Sequence, residues 1–370
     1  MAPVIAELRR HPDEIRSIVC SAGQHRQMLD QVLDLFHIVP DVDLHVMTKD
    51  QTLSQLTANL FVALDSVITD VRPDWILAQG DTTTVLVAAM EAYYHRIRFG
   101  HVEAGLRTRD KHRPFPEEMN RRIADVLADA YFAPTPVAAR ALLDEGCAEE
   151  DVYITGNTVI DALYDVVDRP YDWQAGPLSG VSRQHPIVLV TAHRRESFGE
   201  PFRELCLSIR DLAVEFPTVQ FVYPVHLNPN VRQPVQAILA AQPNVALIEP
   251  LDYLSLVHLM KHSTVVLTDS GGIQEEAPGL NVPVLVMRER TERPEGIETG
   301  LVRLVGTSRE RIVGEGRDLL RHAVPGTPRR RGSSPYGDGR AAQRIVGHLL
   351  DRSRPRSKRQ GASLGSPAGV

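Results

Sequence analysis

The sequence predicts an α/β protein with two doubly wound parallel-sheet domains facing each other across a ligand cleft. Short apolar, β-branched runs alternate with segments of helical period from end to end, as in parallel sheets covered by helices on both faces. Polar clusters follow these runs repeatedly, at the strand ends where open parallel sheets bind ligands. A stretch rich in Pro, Gly, Ser and Asp at 169–185 separates two such series.

Strands are expected at 15–20, 75–79, 99–102, 152–155, 187–191, 219–224, 245–249, 264–268 and 283–287. The implied organisation is a first domain at 1–168, a linker at 169–185, a second domain at 186–335, a helix at 336–351 and a disordered tail at 352–370. The tail carries Arg352, Arg354, Arg356, Lys358 and Arg359 and then runs into Gly, Ser, Ala and Pro, a composition that cannot bury a core. At 370 residues, 43% hydrophobic and 24% charged, the chain is long enough for two cores. A net charge of −6 gives no reason to expect nucleic acid or membrane partners. Cys20, Cys147 and Cys206 show neither metal-ligand nor disulfide spacing, so no metal is expected and a cytoplasmic setting is. No apolar run approaches the ~18 residues of a membrane span.

The most informative segment is 267–278, Leu-Thr-Asp-Ser-Gly-Gly-Ile-Gln-Glu-Glu-Ala-Pro. A buried strand breaks at Ser270-Gly271-Gly272 into a short helix, whose free N–H groups and roughly half positive charge suit a phosphate. Glu276 follows one turn on, where a carboxylate can take ribose hydroxyls. Packing alone explains many Gly-Gly turns; the carboxylate at this spacing favours a nucleotide diphosphate. His193-Arg194-Arg195 after another strand adds cations suited to a pyrophosphate. His226 either joins a site or merely bonds its turn.

In the first half, Asp81, Glu103 and Glu117 place three carboxylates near one cleft, where mutual repulsion would suit one of them to proton transfer. The bland alternatives are open at each position. Asp81 can cap the next helix, and Glu103 can be an idle loop carboxylate. At 100° per residue, Met119, Ile123, Val126 and Ala130 form a buried stripe and Glu118, Arg122, Asp125 and Asp129 a solvated one. Glu117 and Arg121 then fall on a third face, where an exposed i,i+4 pair would contribute only ~0.3–0.5 kcal/mol.

Several linked runs resemble the non-hydrolysing UDP-N-acetylglucosamine 2-epimerases: Gly80-Asp-Thr-Thr-Thr84, His101-Val-Glu-Ala-Gly-Leu-Arg-Thr108, Pro116-Glu-Glu-Met-Asn-Arg121, Thr155-Gly-Asn-Thr-Val-Ile-Asp161, His193-Arg-Arg-Glu-Ser-Phe-Gly199, Tyr223-Pro-Val-His-Leu-Asn-Pro-Asn-Val231, the 268–278 run and Thr291-Glu-Arg-Pro-Glu295. The resemblance spans residues 1 to about 350. It implies two Rossmann-like domains of the GT-B type, a C-terminal helix packed back on the first domain, a homodimer, and no cofactor. It implies interconversion of UDP-GlcNAc and UDP-ManNAc: UDP leaves C1 as the C2 proton is removed, 2-acetamidoglucal stays bound, and UDP returns with a proton delivered to the other face. Carried over residue by residue, Asp81, Glu103 and Glu117 become acid/base carboxylates with Arg121 beside them and His193 at the UDP. Arg194, Ser270, Gly271 and Gly272 fall at the phosphates and Glu276 at the ribose. Gln24, Gln27, Glu117, Arg194 and His226 match an activating second UDP-GlcNAc site.

Two departures from the family accompany the resemblance. The family opens with a strand and a Gly-Thr-Arg-Pro-Glu loop that provide an arginine and a lysine; this sequence begins at a predicted helix, so the first strand is expected to be missing. A family arginine of the activating site is matched by Asn59, which predicts weaker or absent activation. The alternative readings are a UDP-sugar-dependent glycosyltransferase of the same fold, and an inactive UDP-sugar-binding protein.

Overall fold

The computed structural model describes residues 1–23, 26–48, 51–321, 331–332 and 334–353. Among them, three sheets form, parallel throughout. The smallest pairs β1 (Cys20–Ser21) with β2 (Val42–Asp43). A four-stranded sheet follows in chain order: β3 (Trp75–Gln79), β4 (Arg98–Val102), β5 (Ala130–Ala133) and β6 (Val152–Ile154). A six-stranded sheet holds β7 (Ile187–Thr191), β8 (Gln220–Pro224), β9 (Val245–Ile248), β10 (Val265–Thr268), β11 (Val284–Val286) and β12 (Val302–Leu304), in the order β12-β11-β10-β7-β8-β9. The strand order therefore reverses between β7 and β10. Ligands of doubly wound sheets bind outside the carboxyl ends of the strands at such a reversal, and here it brings the His193 cluster beside the Ser270 turn.

Apolar periodicity explains the helices around the sheets. In Leu53–Val71, Leu56, Leu60, Leu64 and Ile68 recur every fourth residue and are all buried, each contributing about 1.5–3 kcal/mol. Thr52 and Gln55 form a reciprocal capping box that fixes where this helix starts. The helix Ala341–Ser353 lays Ala342, Ile345, Val346, Leu349 and Leu350 against Val4, Leu8, Val102, Ala130 and Phe132. Its first amides, those of Ala341 and Ala342, donate to the Asp161 carboxylate at 3.1 and 2.9 Å. Helix Thr158–Val166, which carries Asp161, sends Ile160 and Leu163 into the core of the six-stranded sheet. No helix among the described residues is long and apolar enough to cross a membrane.

Several expectations change. The strand expected at 15–20 reduces to Cys20–Ser21, and β2, β5 and β12 lacked a sequence signal strong enough to find them. Segment 169–185 is packed: Trp173, Leu178 and Val181 are buried, and the Trp173 indole donates to the Val181 carbonyl at 2.8 Å. Arg352 is not tail; it ends the last helix paired with Asp151 at 2.5 Å. Residues 354–370 lie outside the described residues.

The largest reversal concerns helix Glu117–Leu127. Its apolar stripe faces outward, with Val126 81% exposed, while Glu118, Arg121 and Asp125 are buried. Buried partners explain the inversion. Glu118 accepts from the Thr108 and Arg109 amides, each at 3.1 Å, and Asp125 accepts from His101 and Arg107 at 2.6 Å. Burial alone would lift the Asp125 carboxyl, but these two cations hold it below its usual range. Ala130 belongs to β5 and not to this helix.

Candidate active site

In the four-stranded sheet, β3 and β4 end side by side. The N-cap of the helix after β3 is Thr82, whose hydroxyl accepts from the Val85 amide at 3.4 Å. This frees Asp81, whose carboxylate pairs with Arg121 while its carbonyl accepts from the Asn120 side chain at 2.9 Å. Arg121 therefore does not form the exposed pair with Glu117 that helix geometry suggested. It is 4% exposed and bound to Asp81, with Glu118 at 3.5 Å. Glu117, one turn before Arg121, is half-buried, and its Oε2 is enclosed without a hydrogen-bond partner among the described residues. A carboxylate oxygen left so is costly unless a ligand completes it.

Glu103 follows β4 at φ +67°, left-handed backbone that non-glycine residues seldom adopt. Glu103 is not idle: Oε2 accepts from the Gln79 amide at 3.1 Å and Oε1 from Arg293 at 3.3 Å. Below it, fully buried His101 presents Nδ1 to Asp125 at 2.6 Å and Nε2 to the Gly80 carbonyl at 2.8 Å. Both ring nitrogens face acceptors; burial lowers the imidazole pKa, but Asp125, the Gly80 carbonyl and Glu103 together raise it above its ordinary value. This cation fixes the turn from which Asp81 projects.

At the reversal of the six-stranded sheet, the buried Asp269 carboxylate accepts the His193 and Arg194 amides at 2.7 and 2.8 Å. It thereby pins the His-Arg segment after β7 to the turn after β10. Burial raises Asp269 above its usual range despite the opposing charge of His193. The exposed His193 ring stacks on His226 at 5.4 Å and 11°. His226 also bonds its turn, accepting the Asn228 amide at 3.1 Å. Helix Gly271–Gly279 begins after Ser270 without a side-chain cap, leaving its first N–H groups open to a ligand. Gly271 is glycine for a steric reason, since a Cβ there would lie 2.7 Å from the Arg293 guanidinium. Glu276 is 4% exposed; burial pushes its carboxyl up to about 7 although the Tyr253 hydroxyl donates to it at 2.5 Å.

Sequence reasoning assigned no role to the group that joins these parts. Arg293 pairs with Glu275 and Glu292 and reaches across to Glu103. Glu275 also accepts from Asn157 at 2.6 Å, and burial lifts it to about 8 against the pull of Arg293. Glu292 goes the other way: burial lifts it, but Arg293 and Arg288 prevail and hold it at about 2. The adjacent acids Glu275-Glu276 and the run Thr291-Glu-Arg-Pro-Glu295 were the available signals. Gln24 lies outside the described residues, as does the side chain of Gln27, whose backbone belongs to helix Arg26–Leu35. Arg194 and His226 follow β7 and β8, Glu117 opens helix Glu117–Leu127, and Asn59 is on helix Leu53–Val71.

Two parallel-sheet units with acidic loops on one side and a glycine-opened helix on the other define the class: a two-domain α/β protein of the GT-B type. Residues 6–350 match the family described as UDP-N-acetylglucosamine 2-epimerase, and the chain belongs to that family. The chain is similar to the UDP-N-acetylglucosamine 2-epimerase of Bacillus subtilis (strain 168), at 47% identity over 95% of this chain and 91% of the relative. Against the enzyme of that name from Escherichia coli (strain K12), identity is 48% over 94% of this chain and 93% of the relative. The crystal structure of UDP-GlcNAc 2-epimerase from Neisseria meningitidis bound to UDP-GlcNAc superposes with a TM-score of 0.89 at 45% identity, covering 95% of both chains.

Proposed function

We propose that this protein is a non-hydrolysing UDP-N-acetylglucosamine 2-epimerase, interconverting UDP-GlcNAc and UDP-ManNAc by elimination and re-addition of UDP through bound 2-acetamidoglucal. The observation that carries the reading is Arg293. Its guanidinium touches Glu103 on the acidic side and packs over Gly271 at the open helix start, so proton-transfer groups and a diphosphate cradle belong to one site. Residues 1–168, joined by the returning helix at 336–351, form the sugar side, and residues 186–335 the nucleotide side.

Asp81, Glu103 and Glu117 serve as the acid/base carboxylates, removing the C2 proton from one face and returning one to the other. Arg121 orients Asp81. His193, Arg194, Ser270, Gly271 and Gly272 hold the diphosphate as its charge grows on leaving C1, and Glu276 holds the ribose. No metal or redox group is needed for this sequence of steps. A second UDP-GlcNAc would meet Glu117, Arg194 and His226; Gln24 and Gln27 complete the proposed set. The exposed stripe Met119, Ile123 and Val126 suits burial by a second copy of the chain, giving a homodimer. The enzyme acts in the cytoplasm.

Incubation with UDP-GlcNAc in D₂O is expected to yield UDP-ManNAc and to place deuterium at C2 of both epimers. A protein that produces neither would sink the proposal. Sugar transfer to an acceptor without C2 exchange would favour a glycosyltransferase, which three carboxylates around one site make the poorer fit.

A further inference from the structure

Of Asp269, Glu275 and Glu276, the last has a single neutral side chain as its hydrogen-bond partner among the described residues. Glu275 is locked by Arg293 and Asn157, and Asp269 by two backbone amides. Glu276 Oε1 accepts from the Tyr253 hydroxyl at 2.5 Å. Among the described residues no hydrogen bond reaches Oε2, which lies 3.6 Å from the point where a Cβ on Gly272 would stand. One oxygen is thus tied down and the other is free beside the open helix start.

Tyr253 itself is firmly placed. It is the first residue of helix Tyr253–His262, whose N-cap Asp252 accepts from the Ser255 amide at 2.8 Å and from its hydroxyl at 2.7 Å. The Tyr171 hydroxyl donates to the Ser255 hydroxyl oxygen at 3.2 Å, tying this cap to segment 169–185. The half-buried Tyr253 ring lies against Phe36, with centroids 6.5 Å apart. Held at both its backbone and its ring, the phenol has little freedom to turn away from Glu276.

We infer that Tyr253 is a positioning residue for nucleotide recognition: by occupying Oε1 of Glu276 it aims Oε2 at a ribose hydroxyl and lets the site select ribonucleotides. This rests on the nucleotide-sugar reading given above. Without the phenol, a buried carboxylate with two free oxygens can rotate about its last torsion, which is broad and roughly two-fold. Both the orientation and one charge-assisted hydrogen bond are then lost.

The test measures binding of UDP and of 2′,3′-dideoxy-UDP by calorimetry to the full chain and to Tyr253→Phe, which keeps the ring against Phe36. The wild type is expected to prefer UDP by at least about tenfold, the size of one hydrogen bond to a charged group. Tyr253→Phe should weaken UDP about tenfold and the dideoxy compound less than twofold, removing the preference. With UDP-GlcNAc as substrate, KM should rise about tenfold and kcat fall less than threefold. In a Glu276→Gln background, adding Tyr253→Phe should cost UDP binding less than a further twofold. Equal weakening of both nucleotides, or a variant that keeps its preference, would overturn the inference and leave the epimerase reading intact. A wild type that binds neither nucleotide would remove both.

Discussion

At the carboxyl end of the four-stranded sheet, Asp81 and Glu103 keep 27% and 17% of their side chains open and Glu117 is half-buried. Across the cleft, at the six-stranded sheet, Asp269, Glu275 and Glu276 are 0%, 1% and 4% exposed. The difference matches the two tasks proposed for these groups. Groups that exchange protons need an atom free of permanent pairing, as at the enclosed Glu117 Oε2. Groups that place charge and hydrogen bonds for a nucleotide gain from enclosure, which strengthens every interaction around them.

The sharpest way to break this contrast is Glu117→Gln. If the open carboxylates move protons, kcat should fall about 10²- to 10⁴-fold, with UDP affinity and the unfolding midpoint unchanged. Retention of more than about a tenth of kcat at equal stability would return Glu117 to a passive surface role. Next is Arg293→Ala, which strands the enclosed Glu275 and Glu292 without their shared cation. Breaking a buried pair costs about 3–5 kcal/mol, so urea unfolding should shift strongly; a shift below about 1 kcal/mol would mean that the enclosed network is not what holds this end together.

A smaller effect concerns pH. Burial raises Glu276 to about 7, above the ~4.3 of an unfolded chain, so its ionisation costs stability as pH rises between those values. The ionised form accepts from ribose hydroxyls about twice as strongly as the neutral one. Binding of UDP-GlcNAc, whose diphosphate does not titrate here, should therefore tighten from pH 6 to pH 8 in the wild type more than in Glu276→Gln. Parallel profiles would remove Glu276 from the ribose. The smallest effect is expected at Val126→Ser, within about 0.5 kcal/mol for an exposed site in the monomer. The same change should weaken self-association in sedimentation, and an unaltered dimer would place the interface elsewhere.

Much of this contrast was legible in the sequence, because strand ends followed by His, Asp, Glu or Gly-Gly mark ligand sites in parallel sheets whatever the details. Strands 75–79 and 187–191 were found to the residue, since their flanking turns are unambiguous. Short strands such as β5 and β12 were not. Ala130–Ala133 continues a helical spacing, and only its pairing with β4 and β6 makes it a strand. The inverted helix Glu117–Leu127 was illegible for another reason. Periodicity reports which face is apolar, not which face is buried, and here buried ionic partners from remote segments override it. Arg293 was missed because, beyond its neighbour Glu292, its significance lies in Glu103 and Glu275, which come from other parts of the chain.

The helix Ala341–Ser353 has a consequence for the order in which the protein is made. Val102, Ala130 and Phe132 belong to strands translated early, yet the apolar side chains that cover them come from Ala342 to Leu350. On the ribosome that cluster, to which Val4 and Leu8 contribute early, is completed only when Ala342 to Leu350 emerge, whereas the six-stranded sheet, completed by β12, can close its core sooner. The acidic half of the site is therefore the last to mature and the most exposed to chaperones and misassembly during synthesis.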